Sequence, residues 1–522
     1  MERALAIGEE ATRRGVEHPD LLGLAAQRRL RQGDAQGAHP LLVRARELAP
    51  RSAGVLSDLG LCLTRLGRAR EALPLFDAAL RQTPGAATLH FNKALAHEQL
   101  SQLDRERRAL ERVVAIDAEH VAALNLLALL AADRNDHKAA RDYAARALAL
   151  SPGEVLSHVA LATVDVDARD FASARGRLES LLREPGLDPD NRSTAQTLMG
   201  DVLDGEGNYA EAYGAYAAAK AMLKAHYASA FARREGETAR ALIGRLDRHF
   251  RAAPARTSPV RVHDPIAAKA PIHVFLVGFL RSGTTLLGEV LASHPDIEVM
   301  QERGCLADAV RDFVEPGDGL ARLAALPDGA LETYRGSYWR NAREFGHAAQ
   351  RKIFVDKEPL ATILLPLVAK LFPDAKILFV YRDPRDVVLS CFRRRFAMSA
   401  QKYELLSLED IARYYAGVMG LGDLYRDRLG LDIRDARHET LIADFETETK
   451  RLCGVLGVAW NPAMRDFAAR ARDFNIDTPN SARIARGLSR DGEGRWRRYE
   501  MELAPVLPLL APWCARFGYP EN

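Results

Sequence analysis

The 522-residue sequence has almost no net charge, no ordered set of cysteines and no long apolar run. Its 73 Lys and Arg nearly cancel its 70 Asp and Glu, leaving +3, so charge gives no reason to invoke a nucleic-acid partner. The five cysteines, Cys62, Cys305, Cys391, Cys453 and Cys514, are scattered and never form a Cys-x-x-Cys pair. That argues against a zinc site or a disulfide framework and fits a reducing compartment. No stretch of about 18 apolar residues occurs to span a membrane. The first ten residues also lack a basic segment followed by an apolar one. A soluble cytoplasmic protein is the expectation. A last absence is local. Gly278 and Gly283 are spaced as in the nucleotide-binding pattern G-x-x-x-x-G-K-S/T, but Thr284 stands at the lysine position. The cation is Arg281, ahead of the second glycine.

What is present divides into two grammars, and the length already calls for two or more domains. Residues 1–250 are rich in Ala, Leu and Arg and read as helix throughout. A 34-residue period runs through them: small residues at Ala26, Gly60, Ala94 and Ala128, then Ala72 and Ala140, and closing prolines at Pro50, Pro84 and Pro152. Further units carry Ala162 and Ala174, then Gly200, Ala212, Tyr216 and Ala219. About six units follow, starting near 19, 53, 87, 121, 155 and 193. Glu106 and Ala118 depart from the pattern without breaking its phase. This resembles the tetratricopeptide repeat, an all-α superhelix of stacked helix pairs. Its groove suits docking of a protein or peptide, and the other reading is a structural arm or a homo-oligomer contact.

Residues 251–271 hold three prolines ahead of Pro271, with little periodicity, and are predicted to be a linker. From 272 to 522 short apolar strands alternate with helices, which predicts an α/β domain with a parallel sheet. Strands are expected at Ile272–Gly278, Ile297–Met300, Lys352–Val355 and Lys376–Tyr381. Helices are expected at 284–293, 360–371, 384–396, 408–428 and 441–456.

The chemistry concentrates where strands end. After Ile272–Gly278, the amides of Ser282, Gly283, Thr284, Thr285 and Leu286 fall at a helix N-terminus, which favours an anion. Thr284 and Thr285 add hydroxyls and Arg281 adds a charge. After Lys376–Tyr381, Arg382-Asp383-Pro384-Arg385 opens a second helix, with Ser390 and Arg394 four residues apart on one face. Two phosphate sites imply a ligand with phosphates at two ends. The rival reading, a strand-end carboxylate holding Mg²⁺ for a P-loop kinase or NTPase, is opposed by the neighbouring arginines and the missing lysine. Glu302 follows the strand Ile297–Met300, where a carboxylate can take an acceptor proton. His294, in His294-Pro295-Asp296, reads as a turn residue rather than a base. Trp496 and Tyr499 suit core and site equally.

The paired motifs resemble the sulfotransferases that use 3′-phosphoadenosine-5′-phosphosulfate (PAPS). Arg281–Leu286 looks like their 5′-phosphosulfate loop, and Arg382-Asp383-Pro384-Arg385 with Ser390 looks like their 3′-phosphate motif. The resemblance covers residues 270–520. Arg281 in place of lysine, with His294-Pro295-Asp296, is most similar to the tyrosylprotein sulfotransferase branch, and the whole chain resembles bacterial fusions of tetratricopeptide repeats to such a domain. The resemblance implies a P-loop-like sulfotransferase domain with PAPS as donor and no metal. It implies Glu302 as general base, and Lys357, in Asp356-Lys357-Glu358-Pro359, and Arg281 as charge stabilisers. It implies donor contacts from Ser481 and Arg486, and places His438 where the family often has a tyrosine beside the adenine. A tyrosine in a protein or peptide is the expected acceptor. A carbohydrate, a lipid or a small phenol is the alternative, and a non-catalytic repeat scaffold is a further one.

Overall fold

The 34-residue period becomes a succession of helix pairs. In the computed structural model, first helices begin at Pro19, Ala53, Ala87, Val121, Val155 and Pro189, each 34 residues after the last. The structure describes residues 2–100, 102–232, 237–252, 271–314, 317–473 and 487–520. The chain divides into two compact units, Met1–Leu181 and Leu182–Asn522. The expected 251–271 linker falls almost wholly outside the described residues.

In the first unit the repeated small residues explain the close helix packing. Ala26, Ala94, Ala128 and Ala162 are all fully buried. A Cβ added at Gly60 would lie 2.7 Å from the Phe76 ring, so only glycine lets these two helices approach so closely. Several helices start with a side-chain cap: Asp34 accepts the Gly37 N–H at 2.7 Å and Asp136 accepts the Ala139 N–H at 3.1 Å. The result is an all-helical tetratricopeptide-type superhelix. Among the described residues of the whole chain, no helix is long and apolar enough to cross a membrane.

The second unit opens with the helix pair Pro189–Gly205 and Tyr209–Ala232, in which Gly200 faces Tyr216 as Gly60 faces Phe76. Helix Ala239–Ala252 packs on helix Leu408–Arg428: a Cβ at Gly417 would lie 2.9 Å from Ile243, and Phe250 meets Tyr425 edge-on. The sheet has five parallel strands: β1 (Ile272–Gly278), β2 (Ile297–Gln301), β3 (Ile353–Lys357), β4 (Lys376–Tyr381) and β5 (Asp432–Arg437). Their order is β2-β3-β1-β4-β5. Central strands β1, β3 and β4 are buried almost end to end, as strands covered on both faces must be. The core beneath them gathers Val274, Leu276, Val355 and Leu378 with Leu287, Val290 and Leu452.

The expected strands β1 to β4 are present within two residues of their predicted ends. Strand β5 was not foreseen. The expected helix 384–396 ends at Phe392, and the expected helix 441–456 is two, His438–Ala443 and Phe445–Leu456. The Asp444 carboxyl caps the second by accepting the Thr447 N–H at 3.2 Å. In a parallel sheet all strands end on one side, so Gly278, Gln301, Lys357, Tyr381 and Arg437 deliver their following residues to a common edge.

Candidate functional site

Along that edge lies a cleft of about 240 Å³, bordered among others by Arg281, Gly283, Thr284, Thr285, Glu302 and Arg382. The first wall is the turn after β1. Gly278 and Gly283 both take positive φ, 157° and 105°. A Cβ at Gly283 would sit 2.3 Å from the His438 ring nitrogen Nδ1, so the turn, the imidazole and the cleft share space that no other residue leaves open. Helix Thr284–Ala292 starts here, and Leu287 is the first to bond back, its N–H donating to Gly283 at 3.1 Å. The amides of Thr284, Thr285 and Leu286 therefore have no intrahelical acceptor, at the positive end of the helix dipole. Thr362 donates to the Gly278 carbonyl at 2.8 Å, and Ser282 turns inward to donate to Phe279 at 2.7 Å. The Ser282 side chain is thus buried and spent in shaping the turn.

The second wall begins at β4. Arg281, itself at φ 69°, donates from Nε to the Ser390 hydroxyl at 3.0 Å, joining two motifs 109 residues apart. Arg382 lines the cleft and donates to the Gly492 carbonyl. Asp383 caps helix Pro384–Phe392 and accepts from the Arg385 backbone, Nε and Nη2 at 2.9, 3.0 and 2.8 Å. Its carboxylate is therefore engaged within its own turn by the arginine two residues on. Asp386 accepts the Gly494 and Trp496 amides at 2.7 and 2.9 Å, and burial pushes its carboxyl up to about 6. Arg394 lies past the end of the helix and pairs with Asp201 at 3.6 Å, so the expected Ser390–Arg394 helix face does not form.

The third group comes from β2 and β3. Because Gln301 pairs with Lys357 in the register, the next residue, Glu302, stands beside the end of β3. Its N–H donates to the Lys357 carbonyl at 2.8 Å, and its carboxylate accepts from the Lys357 ammonium. Glu302 is held at φ 47°, a left-handed conformation that a non-glycine residue keeps only where its surroundings enforce it. Lys357 is fully buried, whereas the Glu302 side chain is 41% exposed to the cleft. Behind the pair, Asp356 accepts from the Tyr338 hydroxyl at 2.8 Å. Burial raises Asp356 to about 6, and burial together with the Glu302 charge raises Glu358 to about 8.

The structure thus gathers Arg281, Gly283, Thr284, Thr285, Leu286, Glu302, Arg382 and His438 around one cleft, with Ser390 and Lys357 one contact behind. Ser282 and Arg394 do not reach it, and Ser481 and Arg486 lie outside the described residues. Gly487 and Ser489, just beyond, do border it. His294 bridges the Ala459 carbonyl at 2.8 Å and the Asp296 amide at 3.0 Å, a turn-fixing place. Trp496 and Tyr499 are buried in the core. Sequence reasoning missed Lys402 and Phe396, which enter the cleft from a polar stretch without any motif.

Residues 271–462 match the sulfotransferase family, and residues 24–87, 64–120 and 91–155 match the tetratricopeptide repeat. An uncharacterized protein of Aquifex aeolicus (strain VF5) is 22% identical over 434 residues, 81% of this chain and 54% of that one. The chain thus spans about half the length of that relative. Protein-tyrosine sulfotransferase 1 of Danio rerio is 22% identical over 259 residues, 47% of this chain and 72% of that one. Among solved structures, the sulfotransferase domain of the Synechococcus PCC 7002 olefin synthase is 23% identical with a TM-score of 0.32, covering 44% of this chain and 88% of that one.

Proposed function

We propose that this chain, which carries a sulfotransferase-family domain behind tetratricopeptide repeats, transfers a sulfuryl group from PAPS to a tyrosine hydroxyl of a protein or peptide. The observation that carries the reading is the Arg281–Ser390 bond, which brings the two strand-end anion motifs into one cleft. The cleft chemistry fits such a donor: outward amides at Thr284–Leu286, the hydroxyls of Thr284 and Thr285, and the guanidinium groups of Arg281 and Arg382. His438, against Gly283, is the flat group available to a base. When bound, PAPS supplies the sulfuryl group, and adenosine 3′,5′-bisphosphate is the product.

The chain's own part is to position, neutralise and take a proton. Glu302 reaches into the cleft with its carboxylate and accepts the proton of the acceptor hydroxyl. The buried Lys357 ammonium holds that carboxylate in place. With Arg281, it balances negative charge developing on the oxygen that leaves. A tyrosine acceptor is favoured by likeness to the Danio rerio protein-tyrosine sulfotransferase, and the repeats suggest a protein-interaction role, as a docking surface for the acceptor protein.

The test is transfer from labelled PAPS to a panel of tyrosine peptides, glycans, lipids and small phenols, with calorimetry of adenosine 3′,5′-bisphosphate against ATP–Mg²⁺. Glu302→Gln is expected to lower transfer by about 10²- to 10⁴-fold while bisphosphate affinity stays near that of the parent. Preference for ATP–Mg²⁺ would remove the donor assignment, and activity confined to glycans would remove the tyrosine acceptor.

A further inference from the structure

Helix Pro189–Gly205, the first of the sixth repeat, carries Asp201 and Asp204 three residues apart and so on one face. Both carboxylates accept from side chains of the α/β part of the second unit. Asp201 accepts from the Tyr216 hydroxyl at 2.7 Å and from Arg393 at 3.2 Å. Asp204, 6% exposed, accepts from Arg393 at 3.0 Å, from the Tyr499 hydroxyl at 2.5 Å and from Arg495. From the neighbouring helix Tyr209–Ala232, the buried Lys220 donates to the Arg394 carbonyl at 2.6 Å, and Tyr213 stacks on Phe392 at 5.0 Å.

The partners of Asp204 belong to two different borders of the cleft. Arg393 ends helix Pro384–Phe392 and leads into the segment that supplies Phe396, Ala397 and Lys402. Arg495 and Tyr499 follow the segment that supplies Gly487 and Ser489, and whose Gly492 accepts from Arg382. One carboxylate therefore fixes both segments at once. Simple adhesion would be served as well by apolar groups, because burying ions costs hydration that their attraction roughly repays. What two guanidinium groups and a phenol on one carboxylate add is directional: each donor is held at one angle and one distance.

We propose that Asp204 is a positioning residue for the sulfuryl transfer, acting through Arg393 and Arg495 to set the two segments that close on the donor. The sixth repeat is then a working part of the catalytic unit and not only the end of a docking array. This rests on reading the cleft as the PAPS site.

The test uses the full chain with Asp204→Asn and Asp204→Ala. Hydrogen–deuterium exchange over residues 393–402 and 487–499 reports the positioning directly, without any donor. Exchange in both segments is expected to quicken, most in Asp204→Ala, while exchange over 19–150 stays as in the parent. The KM for PAPS and the Kd for adenosine 3′,5′-bisphosphate are expected to rise about tenfold, the scale of losing a hydrogen bond to a charged group. The KM for the acceptor should not move. Asp204→Asn, which keeps the shape, serves if the alanine variant does not fold. Unchanged exchange in the two segments of a folded variant would overturn the inference, as would a lowered kcat with an unmoved donor KM. A parent chain that does not bind the bisphosphate would instead overturn the donor assignment, and the exchange result would separate the two failures.

Discussion

Glu302 and Glu358 bring two carboxyl groups to the end of β3, where the ammonium groups of Lys357 and Lys402 and the buried carboxyl of Asp356 also act. Burial, then the Glu302 charge, raises Glu358 from the ordinary 4.5 to about 8, so at neutral pH it is largely protonated. A neutral Glu358 removes one of the two anions that neighbour the Glu302–Lys357 pair, Asp356 being the other, and neighbouring carboxyls commonly acquire different roles in this way. The linkage has a definite sign. Between about 4.5 and about 8 the folded chain holds a proton at Glu358 that the unfolded chain has released. The stability contribution is complete below that window and is lost as pH rises through it. Glu358→Gln, which cannot ionise, is expected to escape this loss. Denaturant midpoints for parent and variant should therefore diverge between pH 5 and pH 9, with the variant gaining relative to the parent as pH rises. A difference that stays flat across that range would mean that Glu358 is not held protonated.

At the scale of the element, the turn from β1 into helix Thr284–Ala292 does most to define the cleft, and Gly283 is its tightest point. Gly283→Ala places a methyl group 2.3 Å from the His438 ring at a φ of 105°. The strained backbone and the clash are together expected to cost about 1–3 kcal/mol of stability. Displacing the imidazole is also expected to weaken bisphosphate binding at least tenfold, about 1.4 kcal/mol, as calorimetry would show. This turn was legible in the sequence because both its features are local: an apolar run for the strand and two glycines at fixed spacing. Arg382 after β4 is legible in the same way, whereas Glu302 is singled out by the family resemblance, with its place after β2 in agreement. Strand β5, Asp-Ile-Arg-Asp-Ala-Arg, was illegible because an edge strand need not be apolar, and only Ala436 of its six residues is buried. Lys402 and Asp204 were illegible for another reason: tertiary packing brings them to the cleft region, and nothing near them in the chain marks it. The helix past Phe392 was overpredicted because Arg393 and Arg394 are good helix formers, whereas their contacts with Asp201 and Asp204 take them elsewhere.

At the scale of the whole molecule, a glycine packed against an aromatic ring of the next helix occurs in both compact units, so the same kind of contact can be tested in each. Gly60 faces Phe76 in the first unit, and Gly200 faces Tyr216 in the second, each pair sixteen residues apart. Alanine at either site brings a methyl group within 2.7 Å of the ring, at 2.7 Å for Gly60 and 2.5 Å for Gly200. Overpacking of this kind costs about 1–3 kcal/mol, less the ~1 kcal/mol that alanine gains over glycine in a helix. Both variants are therefore expected to melt earlier than the parent. Their kinetics should differ, because the two rings do different things. Phe76 only fills space, whereas the Tyr216 hydroxyl donates to Asp201 and accepts from Arg393 at 3.2 Å. Gly200→Ala is expected to raise the donor KM by moving that hydroxyl. Gly60→Ala is expected to leave donor KM and kcat as they are. If Gly60→Ala raised the donor KM as much as Gly200→Ala, loss of repeat stability alone would explain the kinetics, and the directional role assigned to the sixth repeat would have to be given up.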